Sequence, residues 1–543
     1  MKKIFSLFIL LISIAAKTQS WQDTIKMIDK IMDRYKPGMP GAQMAISRNG
    51  QLIYSGIRGL ADLEHNVPLT KESKTEAGSV SKQFTAAAIL LLEQQGKLSL
   101  NDDIRKYLPE IPDYGNTIRI YHLLHHTSGL KDWGSVIALS GWPRGTRAYT
   151  NEDALQIIAR QKSLNNLPGA EYIYSNSNYT SLTIIVQRVS GMSHAAFTKK
   201  YLFEPAGMKN TEWRDDYRRV VPGRAIAYSL QANVYETTMP NEDTHGHGGL
   251  LTTAEDLLKW NQFYLSGQFG NPSLLPKQIE IRPLNNGKKN AYAAGLDVDS
   301  INGWRAISHT GATAGYRAQL EYFPDLDLSF AWLSNNASSA TASVPDDVRD
   351  IFVKDISTAA GSGNLKPDSS ISWKKFIVYA GAYFNPHTGS GFTLYSKENG
   401  MYLVPVGGPL LPVNENTLAV RTGLLIFQEN NQRMVTLINA AGDTVLFYKT
   451  DTARTDNASL QDYAGIYFSD ETESYMYVEA KNGKLMMYPR KGMEEEATFT
   501  YRDGVYYPGA EISFQRNKRG AITHFFVSVS RARKVEFKKI LKE

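Results

Sequence analysis

The pattern of apolar residues predicts a buried helix close to the start of the chain. Within residues 84–92 only Thr85 is polar, and a helix that is apolar on nearly all sides belongs in the interior of a domain. Gly96 is expected to end it, because glycine readily takes positive φ. Ser79 lies in the predicted first turn, with Lys82 three residues later. That spacing places the two Cβ atoms about 5–6 Å apart, so the amine can reach and activate the hydroxyl.

Alternating and clustered apolar residues predict an antiparallel sheet around this helix. Residues 41–47 and 52–56 read as strands joined at Asn49-Gly50, a strong hairpin signal. Three further strands are predicted near the end of the same region, and several helices lie between. The later strands are 306–309, 316–323 and 329–334. The helices include 21–35, 151–161, 179–190 and one that follows a Thr N-cap pattern within residues 247–256 and ends at about Tyr264. The first 355 residues therefore predict an α+β domain whose sheet takes strands from both ends of the region.

The last third of the chain repeats itself. Residues 379–384 (Tyr-Ala-Gly-Ala-Tyr-Phe) recur as residues 463–468 (Tyr-Ala-Gly-Ile-Tyr-Phe). Asn-Gly and Phe-Gln pairs recur at similar offsets, at Asn399 and Asn482 and at Phe427 and Phe514. Short strands with frequent turns fill both units, so each is expected to form a small antiparallel β-barrel.

These patterns, and a length too great for one core, divide the chain into several parts. A stretch rich in Ser, Gly, Asn and Pro reads as a linker between the α+β domain and the repeats. The expected boundaries are 1–20 for a signal peptide, 21–356 for the α+β domain, 357–372 for the linker, and 373–450 and 460–543 for the two barrels.

Composition narrows the cellular context. The N-terminus predicts a secretory signal, because two lysines are followed by an apolar run over residues 4–16 and then by small residues suited to cleavage. The apolar run is too short for a membrane anchor that stays in place. The chain has no cysteine, which excludes disulfides, a thiol nucleophile and lipid attachment through an N-terminal cysteine. The net charge of +6 comes without a basic run interleaved with aromatics, so no nucleic-acid partner is expected. A periplasmic or secreted protein without a transmembrane segment after signal removal is predicted.

Three short motifs carry the candidate chemistry, and each is weak alone. Ser-x-x-Lys occurs three times, but only Ser79 and Lys82 fall on a predicted buried helix. Tyr-x-Asn also occurs three times, and only Tyr174 and Asn176 follow a Pro-Gly turn and precede a helix. A His-Thr-Gly sequence beginning at His309 ends a predicted strand.

In this order and context the three motifs together resemble those of the serine β-lactamase and penicillin-binding protein superfamily, and more closely its class C branch. The resemblance spans about residues 40 to 335 and implies a class C β-lactamase-like domain, with an antiparallel sheet flanked by helices, followed here by the two barrels, which would be lipocalin-like. It makes Ser79 the acylated nucleophile and Lys82 its proton acceptor or orienter. Tyr174 would share the base role, its phenolate favoured by a neighbouring ammonium, and Asn176 would bind the substrate carbonyl group. Which of Lys82 and Tyr174 takes the proton stays open.

The resemblance also assigns roles to the oxyanion hole and to the third motif. Backbone N–H groups of Ser79 and Ala312 would form the oxyanion hole, and Thr310 and Gly311 would line the substrate. The β-lactamases have Lys-Thr-Gly where this chain has His309, and a mostly neutral histidine offers less charge for the carboxylate of a β-lactam. This departure favours an ester or a peptide-like amide as substrate.

A histidine in the third motif together with tandem barrels resembles the D-aminopeptidases of the superfamily, whose barrels help to shape substrate access. The prediction is an exported serine hydrolase that acts on a small-molecule or peptide-like substrate. The alternatives are a β-lactamase or cell-wall D,D-peptidase, and a non-catalytic penicillin-binding or sensor protein.

No cofactor is implied. His245 and His247 lack carboxylate or cysteine partners at ligand spacing, so no metal site is predicted. The sequence does not indicate an oligomeric state.

Overall fold

The computed structural model describes residues 21–356, 367–405, 408–420, 423–428, 431–439 and 444–540. The predicted signal peptide, residues 1–20, lies outside the described residues, and so do residues 357–366 of the predicted linker. No helix in the described part of the chain is both long and apolar enough to span a membrane.

The α+β domain holds ten α-helices among the described residues, besides short 3₁₀ and π segments. They are α1 (21–32), α2 (Lys82–Gln94), α3 (Ile120–Leu124), α4 (Trp133–Ala138), α5 (Asn151–Ala159), α6 (Asn176–Ser190), α7 (His194–Thr198), α8 (Ala254–Leu265), α9 (Leu275–Gln278) and α10 (Val344–Phe352). Its strands are β1 (Ala42–Arg48), β2 (Gln51–Arg58), β3 (Leu60–Asp62), β4 (Val67–Pro68), β5 (Thr75–Glu76), β6 (Glu212–Trp213), β7 (Tyr228–Gln231), β8 (Val234–Thr237), β9 (Leu250–Thr252), β10 (Asp297–Ile301), β11 (Trp304–Thr313), β12 (Tyr316–Phe323) and β13 (Leu328–Ser334).

The main sheet joins the two ends of this region, as the sequence predicts. Its order is β10-β11-β12-β13-β1-β2, and all five neighbouring pairs are antiparallel. Asn49 and Gly50 turn the β1–β2 hairpin with φ of 50° and 69°, the backbone that a two-residue primed turn requires. The sheet therefore places β11, the strand that carries His309, next to the edge strand β10 and three positions from β1.

Helix α2 lies at the centre of the hydrophobic core. Ten of its thirteen residues are buried, Lys82 among them. Phe84 packs against Phe203 and Trp260 with ring centroids 5.6 and 4.7 Å apart. Burial on all sides fixes the start of the helix, and with it the position of Ser79.

The repeats form two closed antiparallel barrels of eight strands each, as predicted. The first contains β14 (Gly381–Phe384), β15 (Gly391–Lys397), β16 (Gly400–Val404), β17 (Pro409–Asn414), β18 (Thr417–Val420), β19 (Gly423–Gln428), β20 (Asn431–Asn439) and β21 (Thr444–Thr450). The helix α11 (Asn457–Gln461) precedes the second, which contains β22 (Gly465–Ser469), β23 (Ser474–Lys481), β24 (Lys484–Tyr488), β25 (Glu495–Tyr501), β26 (Gly504–Tyr507), β27 (Ala510–Arg516), β28 (Ile522–Val529) and β29 (Ala532–Lys539).

The repeated hexapeptide forms the same hydrogen bond in both barrels. The Tyr383 hydroxyl donates to the Tyr379 carbonyl at 2.6 Å, and the Tyr467 hydroxyl donates to the Tyr463 carbonyl at 2.7 Å. In each copy the hydrogen bond ties the first strand of the barrel to the turn before it. The repeat in the sequence thus reflects a repeated structural unit.

The second barrel packs directly on the α+β domain, and its interior is continuous with the core around α2. Across this boundary Lys131 pairs with Glu471 at 2.8 Å, with both side chains buried. The hairpin between β28 and β29 also reaches the domain, since the Arg531 carbonyl accepts from the backbone N–H of Asp132 at 3.0 Å. The barrel and the domain are therefore one packed body at this boundary.

Candidate active site

Ser79 and Lys82 meet as the sequence predicts, with one change in local structure. Ser79 lies in a 3₁₀ turn over Gly78–Ser81, and the α-helix begins only at Lys82. The Lys82 Nζ atom is 3.1 Å from the Ser79 Oγ atom. The turn and the buried helix together hold the hydroxyl against the amine.

The Lys82 amine has three oxygen neighbours. Besides Ser79 Oγ, the Asn176 Oδ1 atom lies 3.0 Å away and the His247 carbonyl oxygen 2.6 Å away. A neutral amine has two N–H donors and one lone pair, so it can donate to the two carbonyl-type oxygens and accept the proton of Ser79. This set of neighbours suits an amine that acts as a base towards Ser79.

The electrostatic surroundings of Lys82 favour that neutral form. Complete burial lowers the pKa of Lys82 well below its ordinary value, and the cations Arg144 and Arg531 lower it further, while Asp132 acts in the opposite direction. The sequence suggested this behaviour for a lysine in a cleft.

Tyr174 lies beside the same amine, but its environment differs from the sequence-based expectation. The Lys82 Nζ atom is 4.7 Å from the centre of the Tyr174 ring. Burial raises the pKa of Tyr174, and Ser79 and Arg531 offset this only in part. The phenol hydroxyl is buried, and the Ser79 hydroxyl lies close enough to lower the pKa of Tyr174 without reaching full hydrogen-bond geometry. Desolvation thus outweighs the neighbouring charge, and the protonated phenol is favoured.

Asn176 is positioned by its backbone as well as its side chain. It is the first residue of α6, and its N–H donates to Asp132 Oδ2 at 2.6 Å. Its Oδ1 atom accepts from Lys82, so its amide N–H groups stay free for a substrate oxygen. This fits the substrate-binding role that the resemblance implies.

Glycines let the strand of the third motif run against the serine turn. A Cβ atom on Gly78 would lie 2.7 Å from the Ala312 nitrogen, and one on Gly311 would lie 2.1 Å from the Ala77 carbonyl oxygen. No side chain fits in either place. The close approach puts the backbones of Ser79 and Ala312 on adjacent segments at the cavity wall, where an oxyanion hole needs its two donors.

His309 is buried rather than exposed, and it is neutral. Its Nδ1 atom lies 2.6 Å from the Thr310 carbonyl, which can only accept, so Nδ1 carries the proton. The Tyr292 hydroxyl, 2.9 Å from Nε2, is then the donor to that nitrogen. Burial lowers the pKa of His309 to about 3. The third motif therefore supplies no positive charge.

A buried ion network supports the site from below, and motif reasoning missed it. Arg214 pairs with Glu76 at 2.9 Å, with both side chains essentially unexposed. Glu76 also accepts from the Gly249 N–H at 3.0 Å, which fixes the loop that carries the His247 carbonyl. Glu242 joins Arg214, at 3.9 Å, to Arg144. Glu76 directly precedes the motif, but no spacing pointed to its distant partner.

The site opens into a cavity of about 580 Å³. All eight predicted site residues except Lys82 line it, and Lys82 lies beneath Ser79. The sequence did not predict the arginine, aspartate, tryptophan and other tyrosine residues of its wall, which are Arg144, Tyr172, Tyr292, Asp297, Arg317, Trp332 and Arg531. Arg531 comes from the second barrel, about 450 residues from Ser79 along the chain, and no local pattern marks it.

The other Ser-x-x-Lys pair in the domain has different contacts. Ser128 donates to Asn178 at 2.6 Å and Lys131 pairs with Glu471. Both side chains are buried, although the segment is a turn and not a helix. Neither side chain, however, lines the cavity.

The chain is similar to known proteins over most of its length. The family model described as Beta-lactamase matches residues 24–353. Penicillin-binding protein 4* of Bacillus subtilis is 30% identical over 315 residues, which is 53% of this chain and 66% of that protein. The D-aminopeptidase of Brucella canis is 26% identical over 531 residues, which is 92% of this chain and 96% of that protein.

A solved structure shares the fold over most of the chain. The octameric penicillin-binding protein homologue from Pyrococcus abyssi superposes with a TM-score of 0.54 at 20% identity, covering 87% of this chain and 98% of that one. The match thus extends beyond the α+β domain into the barrels.

Proposed function

The chain is a serine hydrolase of the Beta-lactamase family, and from that premise we propose that it cleaves an ester or a peptide-like amide through an acyl-enzyme on Ser79. The observation that carries the proposal is the contact of 3.1 Å between Ser79 Oγ and the buried amine of Lys82, whose pKa burial lowers. A base with a lowered pKa next to a hydroxyl is the arrangement that activates a serine.

The groups around this pair supply the remaining steps. Lys82 accepts the proton as Ser79 Oγ bonds to the substrate carbonyl carbon, and the N–H groups of Ser79 and Ala312 stabilise the oxyanion. Asn176 orients the substrate. The protonated hydroxyl of Tyr174 gives its proton to the leaving group as the bond between that group and the carbonyl carbon breaks, and the Lys82 ammonium then returns a proton to the Tyr174 phenolate. Water attacks the acyl-enzyme and gives a proton to Lys82, which passes it to Ser79 Oγ as the acid leaves.

A D-aminopeptidase-like substrate is favoured over a β-lactam. The relative that covers nearly the whole chain is named a D-aminopeptidase. His309 is neutral, so the third motif lacks the charge that a β-lactam carboxylate needs. Asp297 is the only acidic side chain among the described residues that line the cavity, and a carboxylate is the natural partner of a free substrate ammonium group.

The test is to label the purified protein with a fluorophosphonate probe, locate the adduct, and assay D-amino-acid amides, D-amino-acid esters and a cephalosporin. We expect an adduct on Ser79, none in Ser79→Ala, and turnover of the amide or ester. Turnover by Ser79→Ala would contradict the mechanism, and faster turnover of the cephalosporin would contradict the substrate class. We also propose that the protein is exported, which an N-terminus mapped at residue 1 of the mature protein would contradict.

A further inference from the structure

The cavity wall is cationic, and one of its cations comes from the second barrel. Arg144, Arg317 and Arg531 line the cavity, against Asp297 as the single acidic residue of the described lining. Lys82 adds no charge in its neutral form, and His309 is neutral. An anionic group in a substrate would therefore meet an excess of fixed positive charge.

Two of the three arginines already have strong partners. Arg144 pairs with Glu242, with its Nε atom 3.0 Å from Oε2. The Nη1 atom of Arg317 donates to the carbonyls of Ala314 and Tyr316 at 2.9 and 2.7 Å. These bonds hold both guanidinium groups in the wall and take up part of their hydrogen-bonding capacity.

Arg531 differs from them. Its guanidinium lies 4.7 Å from the centre of the Tyr174 ring, and no carboxylate of the described residues pairs with it. A guanidinium presents five N–H donors in a fork that matches a carboxylate. The side chain is solvent-exposed at the cavity, directly beside the proposed proton donor to the leaving group.

The backbone, rather than the side chain, holds Arg531 in place. It occupies the two-residue turn between Val529 and Ala532, which are paired in the β28–β29 hairpin. Its carbonyl accepts from the Asp132 N–H and from Asn165 Nδ2, both at 3.0 Å. Asp132 in turn accepts from the N–H of Asn176. The hairpin is thus fixed to the catalytic wall through main-chain contacts that a change of the Arg531 side chain does not remove.

We propose that Arg531 is a specificity-determining residue which binds a carboxylate of the substrate, so that the preferred substrates are acyl compounds carrying an anionic group in addition to the scissile carbonyl. This cation lies on the second barrel beside Tyr174, and not on the third motif, which is where the lysine of the β-lactamases helps to hold the β-lactam carboxylate. The proposal deepens the function proposed above and rests on it.

Two matched substrate pairs test it in the full-length protein. D-Alanyl-D-alanine and its C-terminal amide place the charge on the leaving group, and the p-nitroanilides of D-glutamate and D-glutamine place it on the acyl side. We expect the wild type to favour the charged member of at least one pair, and Arg531→Gln to lose about 10- to 100-fold in kcat/KM for that member, as loss of a charge-assisted hydrogen bond implies. The neutral member should lose less than the charged member, because it is affected only through the pKa values of Lys82 and Tyr174, and Arg531→Lys should restore part of the preference.

Arg533→Gln is the matched control. This arginine lies two residues away on the same hairpin, pairs with Glu171 at 3.0 Å and does not line the cavity, so the charge preference should persist. An equal loss for charged and neutral members in Arg531→Gln would mean that Arg531 only positions Tyr174 or lowers the pKa of Lys82, and would overturn the proposal. An equal preference for the charged over the neutral member in the wild type and in Arg531→Gln would also overturn the proposal. Absence of turnover of all four compounds, together with an unlabelled Ser79, would instead overturn the proposed function.

Discussion

Lys131 of the α+β domain and Glu471 of the second barrel form a salt bridge of 2.8 Å in which neither side chain is exposed. Burial lowers the pKa of Lys131, and Glu471 counteracts that effect. Glu471 also accepts from the N–H of Glu536 at 2.9 Å. The pair therefore connects two structural units through groups that are costly to leave unpaired.

Glu471→Ala should destabilise the protein strongly. It leaves the Lys131 ammonium buried without its partner, so we expect the free energy of unfolding to fall by about 3–5 kcal/mol, measured by urea denaturation. Asp470→Ala is the control, since its pair with Lys162 is exposed and should contribute less than about 1 kcal/mol. Equal effects of the two substitutions would show that the buried pair does not hold the barrel to the domain.

The sequence predicted what depends on short-range pattern. The β1–β2 hairpin follows from Asn49-Gly50, and the central helix follows from an apolar run. The two barrels follow from a repeated hexapeptide whose tyrosines make equivalent hydrogen bonds. The order of the motifs then predicted that Ser79 and Tyr174, which are far apart along the chain, belong to one site. In each case the information lies within a few residues, or in a pattern that repeats.

What the sequence missed depends on tertiary contacts. Arg214 and Glu76 are 138 positions apart, and nothing near either residue marks a partner. Arg531 enters the cavity because the second barrel packs against the start of α4, and no rule of spacing predicts how two domains pack. The protonation of Tyr174 was misjudged for a related reason, since desolvation depends on how much protein surrounds the ring. Long-range packing decides all three.

The pH dependence of acylation should report the base. Lys82 accepts a proton only when neutral, so the rate of fluorophosphonate labelling should fall as the pH is lowered through its depressed pKa and stay level above it. Lys82→Arg keeps a cation that cannot act as a base, and we expect a loss of about 10²- to 10⁴-fold. The exposed Lys97→Arg should label normally. A wild-type rate that rises only near pH 10 would exclude a neutral Lys82 as the base.

His309 should contribute shape and hydrogen bonding rather than charge. Because its pKa is about 3, it stays neutral above pH 5, and kcat/KM should show no inflection from this residue between pH 5 and 8. His309→Gln should retain activity within about tenfold, the effect expected from one altered hydrogen bond. Tyr292→Phe, which removes the donor to Nε2, is the matched partner variant. A much larger loss in His309→Gln, together with disappearance of an inflection near pH 6–7 in the wild type, would assign a charged role to His309.

A single methyl group on Gly311 should disrupt the oxyanion hole. In Gly311→Ala the new Cβ atom would lie 2.1 Å from the Ala77 carbonyl oxygen, so β11 and the serine turn must separate. The N–H groups of Ser79 and Ala312 would then no longer converge on one oxygen. Removing one such donor costs about 10²- to 10³-fold in kcat, and we expect a loss of that order in steady-state assays.

Gly248→Ala separates the effect of the contact from that of an added methyl group. Gly248 also lines the cavity, but the nearest atoms to its Cβ position are 4.0 Å away, so the methyl group fits without displacing a neighbour. Neither glycine has a positive φ, which removes backbone strain as a difference between the two. We therefore expect Gly248→Ala to stay within about threefold of the wild type, because ordinary van der Waals contact costs little. Similar kcat values for the two variants, both folded by circular dichroism, would mean that the approach of β11 to the serine turn is not what forms the oxyanion hole.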